Sequence, residues 1–235
     1  MSGLAKILHA SGNLVSGSDR NLEGDFCKKI LAAGIPVYKQ DGTGPEDFLK
    51  KYNLPPSEVV VVKSTAVEDN VPDVVSARKL GIKEIMRSDL LADLFNCKKG
   101  IAIGGTSGKT TTSGLVAWLL KFSGLDPTMA IGGAITQLET NAFLGNGPHF
   151  VIEADESDGS IVKYKSYIAL LTNISRDHKT IEELENLFAT FANQVTYDGK
   201  AVLCADDENL MNLKKRIGSE VVTYGHSEKA EIHPE

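Results

Sequence analysis

Ile101-Ala102-Ile103-Gly104-Gly105-Thr106-Ser107-Gly108-Lys109-Thr110-Thr111-Thr112 is the stretch on which the fold turns. A short apolar run enters a glycine-rich turn, the turn ends in Gly-Lys-Thr, and a helix-forming segment follows. That order is strand, phosphate-binding loop, helix. Glycines let backbone N–H groups wrap an anion without Cβ clashes, and the helix N-terminus adds a positive dipole end. Gly104, Gly105, Thr106, Ser107, Gly108, Lys109, Thr110 and Thr111 are therefore the candidate nucleotide-binding set. Lys109 would bring a point charge to the terminal phosphates, and the Thr110 hydroxyl would ligate Mg²⁺. A strict Walker A loop would have glycine where Ile103 stands, so Gly104-x-x-x-Gly108-Lys109-Thr110 is one residue tighter.

Outward from the loop, apolar runs alternate with helix-forming segments almost throughout. This is the pattern of an α/β fold, a mostly parallel sheet with helices on both faces. Before the loop, helices are expected over 4–10, 26–33, 74–80 and 89–95, a strand ending in a polar turn over 14–19, and strands over 35–38, 59–62 and 85–87. Val59-Val60-Val61-Val62 is unbroken and apolar, which predicts a strand buried on both faces. Residues 96–100 are polar and read as a linker, dividing a first domain, 1–96, from a second, 97–235. In the second, the helix after the loop runs to Phe122, strands are expected over 128–131, 150–154, 168–172, 201–205 and 221–224, and helices over 181–195 and 210–217. Leu184, Leu187, Phe188 and Phe191 recur at helical spacing, a core-packing stripe.

The chain has 235 residues, enough for two domains. Its formal net charge of −6 disfavours nucleic acid or an anionic membrane as the main partner. Cys27, Cys97 and Cys204 are scattered without metal spacing, which fits a reducing cytoplasm. No apolar run reaches the roughly 20 residues of a membrane helix, and the N-terminus lacks a basic-then-apolar signal pattern.

Two further segments carry chemistry. Phe150-Val151-Ile152-Glu153-Ala154-Asp155-Glu156-Ser157-Asp158 is a strand running into four carboxylates, at the sheet edge where ligands sit in α/β folds. Glu153 comes while the strand is still apolar, so it is expected to be the least solvated and to hold Mg²⁺. At least one of Asp155, Glu156 and Asp158 reads as part of a solvated acidic loop. Leu171-Thr172-Asn173-Ile174-Ser175-Arg176-Asp177-His178 ends another strand in polar groups, which raises His178 above an ordinary surface histidine. Ser16-Gly17-Ser18-Asp19 and Lys63-Ser64-Thr65-Ala66 also follow strands, but alone each is plain turn chemistry.

Together these segments resemble the Mur ligases. The resemblance is carried by Met1-Ser2-Gly3-Leu4-Ala5, Ser16-Gly17-Ser18-Asp19-Arg20, the loop through Thr112, Asp126-Pro127-Thr128 with Ile131-Gly132-Gly133, Asn141-Ala142-Phe143-Leu144-Gly145, Glu153 to Ser160, and Thr172-Asn173-Ile174 with Asp177-His178. The Glu-Ser-Asp-Gly-Ser form points to the alanine-adding branch. The resemblance implies a Rossmann-like domain over 1–96 that binds the UDP substrate and a P-loop-type ATPase domain, the family's central domain, over 97–235. It implies a ligase of peptidoglycan precursor synthesis. The carboxylate of UDP-N-acetylmuramate would take the γ-phosphate of ATP, and the amine of L-alanine would attack the acyl phosphate. Carried over by motif, Lys109 binds the β/γ-phosphates, Thr110 and Glu153 hold one Mg²⁺, His178 ligates a second metal, Asn173 faces the substrate, and Ser18, Asp19, Ser64 and Thr65 lie near UDP. Lys109, Glu153 and His178 are the expected catalytic residues.

The chain departs from the family pattern at Ser107, where histidine is usual, and at Lys179-Thr180, where a hydrophobic residue and aspartate are usual. By the family's measure the first strand with its glycine-rich turn and the C-terminal amino-acid domain are missing. The expectation is a truncated chain that does not complete ligation by itself. The alternative is a nucleotide-binding paralogue without ligase activity. A kinase or GTPase is disfavoured by the short loop and the lack of Asn-Lys-x-Asp.

Overall fold

The computed structural model describes residues 2–176 and 179–234, with the side chain of Phe26 outside that description. Asp177 and His178 lie outside the described residues, and with them the expected second-metal ligand. The chain divides into two compact units, Met1–Leu91 and Ala92–Glu235.

In the first unit the elements run α1 (Ser2–Ala10), β1 (Gly17–Asp19), α2 (Asp25–Ala32), β2 (Val37–Lys39), α3 (Gly44–Tyr52), β3 (Val60–Lys63), α4 (Pro72–Lys79) and β4 (Lys83–Met86), and α5 (Arg87–Asn96) spans the division. β1 pairs with β2 and β3 with β4, both parallel, as two separate two-stranded sheets. The valine run is therefore not buried on both faces. Val60 is 47% exposed, and Val61, Val62 and Lys63 of β3 are half-buried.

The sequence reading places no element between residues 38 and 59, yet α3 forms there. Pro45 opens it, Glu46 and Asp47 stand in its first turn, Lys50 and Lys51 in its last, and Phe48 packs on Tyr52 at 4.9 Å between ring centroids. The expected linker is structured as well. Phe95 is fully buried against Phe150 and Tyr164, and the Asn96 side chain donates to Lys163 O and accepts from Lys165 N.

The second unit is built on one seven-stranded sheet. Its elements are β5 (Lys99–Gly104), α6 (Lys109–Phe122), β6 (Thr128–Ile135), β7 (Thr140–Phe143), β8 (His149–Glu153), β9 (Ile168–Leu171), α7 (Ile181–Asn193), β10 (Lys200–Cys204), α8 (Glu208–Leu213) and β11 (Val221–Tyr224). The strand order is β11-β10-β9-β5-β8-β6-β7, parallel except for the β6–β7 pair. β7 went unanticipated: its four residues carry too little period-2 signal between two glycine-rich stretches.

β5 lies at the centre, with β8 on one side and β9 on the other. Ile101, Ile103, Met129, Ile131 and Val151 pack against Ala117 of α6. On α7, Leu184, Phe188 and Phe191 are buried, as the helical stripe predicts, while Leu187 is half-buried. Thr180, one of the residues that depart from the family pattern, caps α7 through a reciprocal box with Glu183 and so starts a helix. This topology brings the ends of β5, β8 and β9 side by side at the carboxyl edge, where α/β sheets bind ligands.

Candidate functional site

The loop leaves β5 at Gly104 and is clamped from β9. Gly105 has φ +122°, and a Cβ there would lie 2.2 Å from Thr172 Oγ1, so the loop can cross β9 this closely only with glycine. Asn173 then pairs with the loop by main chain and side chain. Thr106 N donates to Asn173 O at 3.1 Å and Ser107 N donates to Asn173 Oδ1 at 3.0 Å. Asn173 Nδ2 donates back to Ser107 O at 2.9 Å, and Thr106 Oγ1 donates to Asn173 Oδ1 at 2.6 Å. Thr172 Oγ1 adds a bond to Ser107 O at 2.6 Å. Asn173 was expected to face the substrate; in the structure its polar atoms brace the loop. At residue 107 the brace uses backbone atoms alone.

The first bond of α6 runs from Thr112 N to Gly108 O at 2.9 Å. The amides of Lys109, Thr110 and Thr111 therefore have no intrahelical acceptor behind them and form the anion-attracting end of the helix. Thr111 is exposed there. Lys109 folds back over the loop, with Nζ 2.7 Å from Gly105 O, 3.4 Å from Thr106 O and 3.0 Å from Glu156 Oε2.

Thr110 and Glu153 meet as the motif reading expects. Thr110 Oγ1 stands 2.9 Å from each Glu153 carboxylate oxygen, and Gly132 N donates to Glu153 Oε2 at 2.7 Å. A Cβ on Gly132 would come within 2.6 Å of that oxygen, and one on Gly133 within 2.8 Å of Thr110 Cγ2. The glycine pair of β6 thus lets the strand press against the Thr110–Glu153 contact.

Glu153 is not the least solvated carboxylate of its segment. It is half-buried, whereas Glu156 is 7% exposed and pairs with Lys109; Asp155 and Asp158 are exposed. The chain turns after Ala154, which sends Glu156 back toward the loop. The sequence signal available was Lys109 itself, since a cation folded into a loop calls for a nearby counterion. Lys179 donates to Ser157 O at 2.8 Å and so holds the turn that follows Glu156. Among the described residues no group of three or more His, Cys, Asp or Glu is arranged to hold a metal ion.

In the first unit, a cavity of about 310 Å³ is lined by Asp19, Arg20, Gln40, Ala66, Val67, Glu68 and Val71. Of the four residues expected near UDP, Asp19 lines this cavity. Ser18 lies in β1, and Ser64 and Thr65 directly precede the lining residue Ala66. Arg20, whose Nε donates to Gln40 Oε1 at 3.0 Å, was not singled out from sequence.

Residues 103–235 match the Mur ligase middle domain, and residues 1–99 match the family described as Mur ligase family, catalytic domain. The chain is 43% identical over 238 residues to a UDP-N-acetylmuramate–L-alanine ligase of Geobacter sulfurreducens, covering 99% of this chain and 49% of that protein. It is 41% identical to the ligase of the same name from Chromobacterium violaceum, covering all of this chain and 50% of that one. The chain therefore spans about half the length of the curated relatives it matches. Among solved structures, it is similar to a UDP-N-acetylmuramate-alanine ligase of Thermotoga maritima, with TM-score 0.78 and 28% identity over 97% of this chain and 50% of that one. It is also similar to the UDP-N-acetylmuramate:L-alanyl-γ-D-glutamyl-meso-diaminopimelate ligase of Neisseria meningitides, with TM-score 0.83 and 26% identity over 98% of this chain and 75% of that one. With both parts of the chain matched and the loop, Thr110 and Glu153 gathered at one sheet edge, the chain belongs to the Mur ligase family.

Proposed function

We propose that this chain carries the sugar-nucleotide-binding and ATP-handling parts of a UDP-N-acetylmuramate–L-alanine ligase. The observation that carries the reading is the meeting of Lys109, Thr110 and Glu153 at the carboxyl edge of one sheet, beside the open amides of α6. In this reading the loop is of the P-loop type, and Gly108 to Thr111 receive the β/γ-phosphates. Lys109 neutralises charge that builds up as the γ-phosphate passes to the muramate carboxylate. The bond to the β-phosphate breaks, ADP leaves, and the amine of L-alanine displaces phosphate from the acyl phosphate.

Thr110 and Glu153 offer a hydroxyl and a carboxylate, hard oxygen donors. Mg²⁺ characteristically takes one or two carboxylates and completes its shell with water and substrate phosphates, so this donor set suits it. When bound, the ion would screen the phosphate charges. His178 is the further ligand by motif. The first unit is read as a Rossmann-like domain whose Ser18, Asp19, Ser64 and Thr65 lie near the UDP moiety. The free cysteines Cys27, Cys97 and Cys204 fit a reducing compartment, the cytoplasm. Among the described residues no helix is long and apolar enough to cross a membrane.

The acceptor is argued from the alanine ligases, which align over nearly the whole chain. The test is phosphate release from ATP by the protein that carries this chain, with and without UDP-N-acetylmuramate and L-alanine. Release that requires both acceptors is the expected result. Nucleotide binding with no acceptor-dependent release would overturn the ligase reading in favour of a nucleotide-binding paralogue.

A further inference from the structure

An ammonium group has three N–H donors. Those of Lys109 face Gly105 O at 2.7 Å, Thr106 O at 3.4 Å, and the Glu156 carboxylate at 3.1 Å to Oε1 and 3.0 Å to Oε2. The pair is enclosed, with side chains 15% and 9% exposed. Among the described residues, Lys109 is the one side chain that Glu156 bonds.

The local turn explains why Glu156 alone points inward. Asp155 Oδ1 accepts from Ser157 N at 2.8 Å and Asp158 Oδ1 accepts from Ser160 N at 2.9 Å, so the flanking carboxylates cap their own turns in solvent. Glu153 is committed to Thr110 and Gly132. Glu156 is left as the buried carboxylate that faces the loop's cation.

We infer that Glu156 sets the nucleotide affinity of the loop: it is the counterion that an incoming phosphate must displace from Lys109. The inference rests on the reading of this loop as the ATP site. A polyphosphate that reaches Lys109 brings negative charge to within a few ångströms of the enclosed carboxylate. The ammonium has no donor left for it until Glu156 or a loop carbonyl lets go. Glu156 therefore competes with the phosphate for Lys109 and weakens binding. A group that merely supported the fold would have the opposite effect when removed.

The experiment is a calorimetric titration of the 1–235 chain with ADP, without metal and then with Mg²⁺. The proteins compared are wild type, Glu156→Gln, Glu156→Asp and Lys109→Ala. Glu156→Gln is expected to bind ADP about tenfold more tightly, the scale of one unit charge removed a few ångströms from a phosphate in a partly screened site. Glu156→Asp keeps the charge and is expected to stay near wild type. Glu156→Met removes the same charge and serves if the glutamine variant does not fold. Equal or weaker binding in the folded neutral variants, with wild-type binding lost in Lys109→Ala, would overturn the counterion role and leave the site reading standing. No Lys109-dependent ADP binding in any of the proteins would overturn both.

Discussion

Gly132 carries a constraint that its sequence context does not announce. Its amide bonds Glu153 Oε2 at 2.7 Å, and any Cβ there would press on the same oxygen. The atom in the way is the end of a flexible side chain, so Gly132→Ala is expected to fold with a melting temperature close to wild type while displacing the carboxylate. With Glu153 as the proposed Mg²⁺ ligand, disturbing its supporting shell is expected to lower metal affinity by about 10- to 100-fold. The Mg²⁺ concentration needed for tight ATP binding is expected to rise on that scale. An unchanged Mg²⁺ dependence would remove Glu153 from the metal role. At this scale the motif residues were legible, because Lys109 and Thr110 follow from the loop pattern alone. The burial of Glu156 and the bracing role of Asn173 were not. Burial of one carboxylate among four depends on the turn after Ala154. The Asn173 brace depends on β9 lying beside β5, a pairing with no local sequence signature.

Among the elements, β3, α4 and β4 are tied by a charge network at their ends. Lys63 Nζ meets Asp69 Oδ1 at 2.5 Å and Glu84 Oε2 at 3.2 Å, and Arg78 bonds both carboxylates. Hydrogen bonds from Lys63 and then Arg78 hold the Asp69 carboxyl down at about 2, and Arg78 chiefly lowers Glu84. A carboxyl lowered on folding stabilises the fold above its unfolded value, near 3.9 for aspartate, and that stability goes as pH falls through the folded value. The first unit is therefore expected to lose stability between about pH 4 and pH 2. Asp69 is largely exposed, so its share is small. Urea midpoints of wild type and Asp69→Asn across that range check this: the curves converge toward pH 2 if the network acts as described, and parallel curves would contradict it. The existence of β3 and β4 was legible from their apolar runs, and the periodic helices were legible from their stripes. The burial of β3 was not, because an unbroken valine run reports a strand without reporting what packs on its two faces. α3 was missed because its evidence is charge placement and one aromatic pair rather than a long apolar period.

At the scale of the molecule, each unit has its own parallel strand pairing and its own candidate ligand surface. The second unit's sheet order puts β5 between β8 and β9, and this alone gathers residues from 105 to 173 at one edge. This edge is expected to grip nucleotide phosphate through Lys109. Equilibrium binding of ATP·Mg²⁺ to the 1–235 chain and to Lys109→Ala tests this, with circular dichroism to verify that both are folded. A charge-assisted bond to phosphate contributes about 1.5–3 kcal/mol, which is roughly a 10- to 100-fold loss when removed. Saturable binding by the wild-type chain and a loss of that size in the variant are the expected results. Equal ATP·Mg²⁺ affinity in the two folded proteins would contradict a phosphate grip through Lys109.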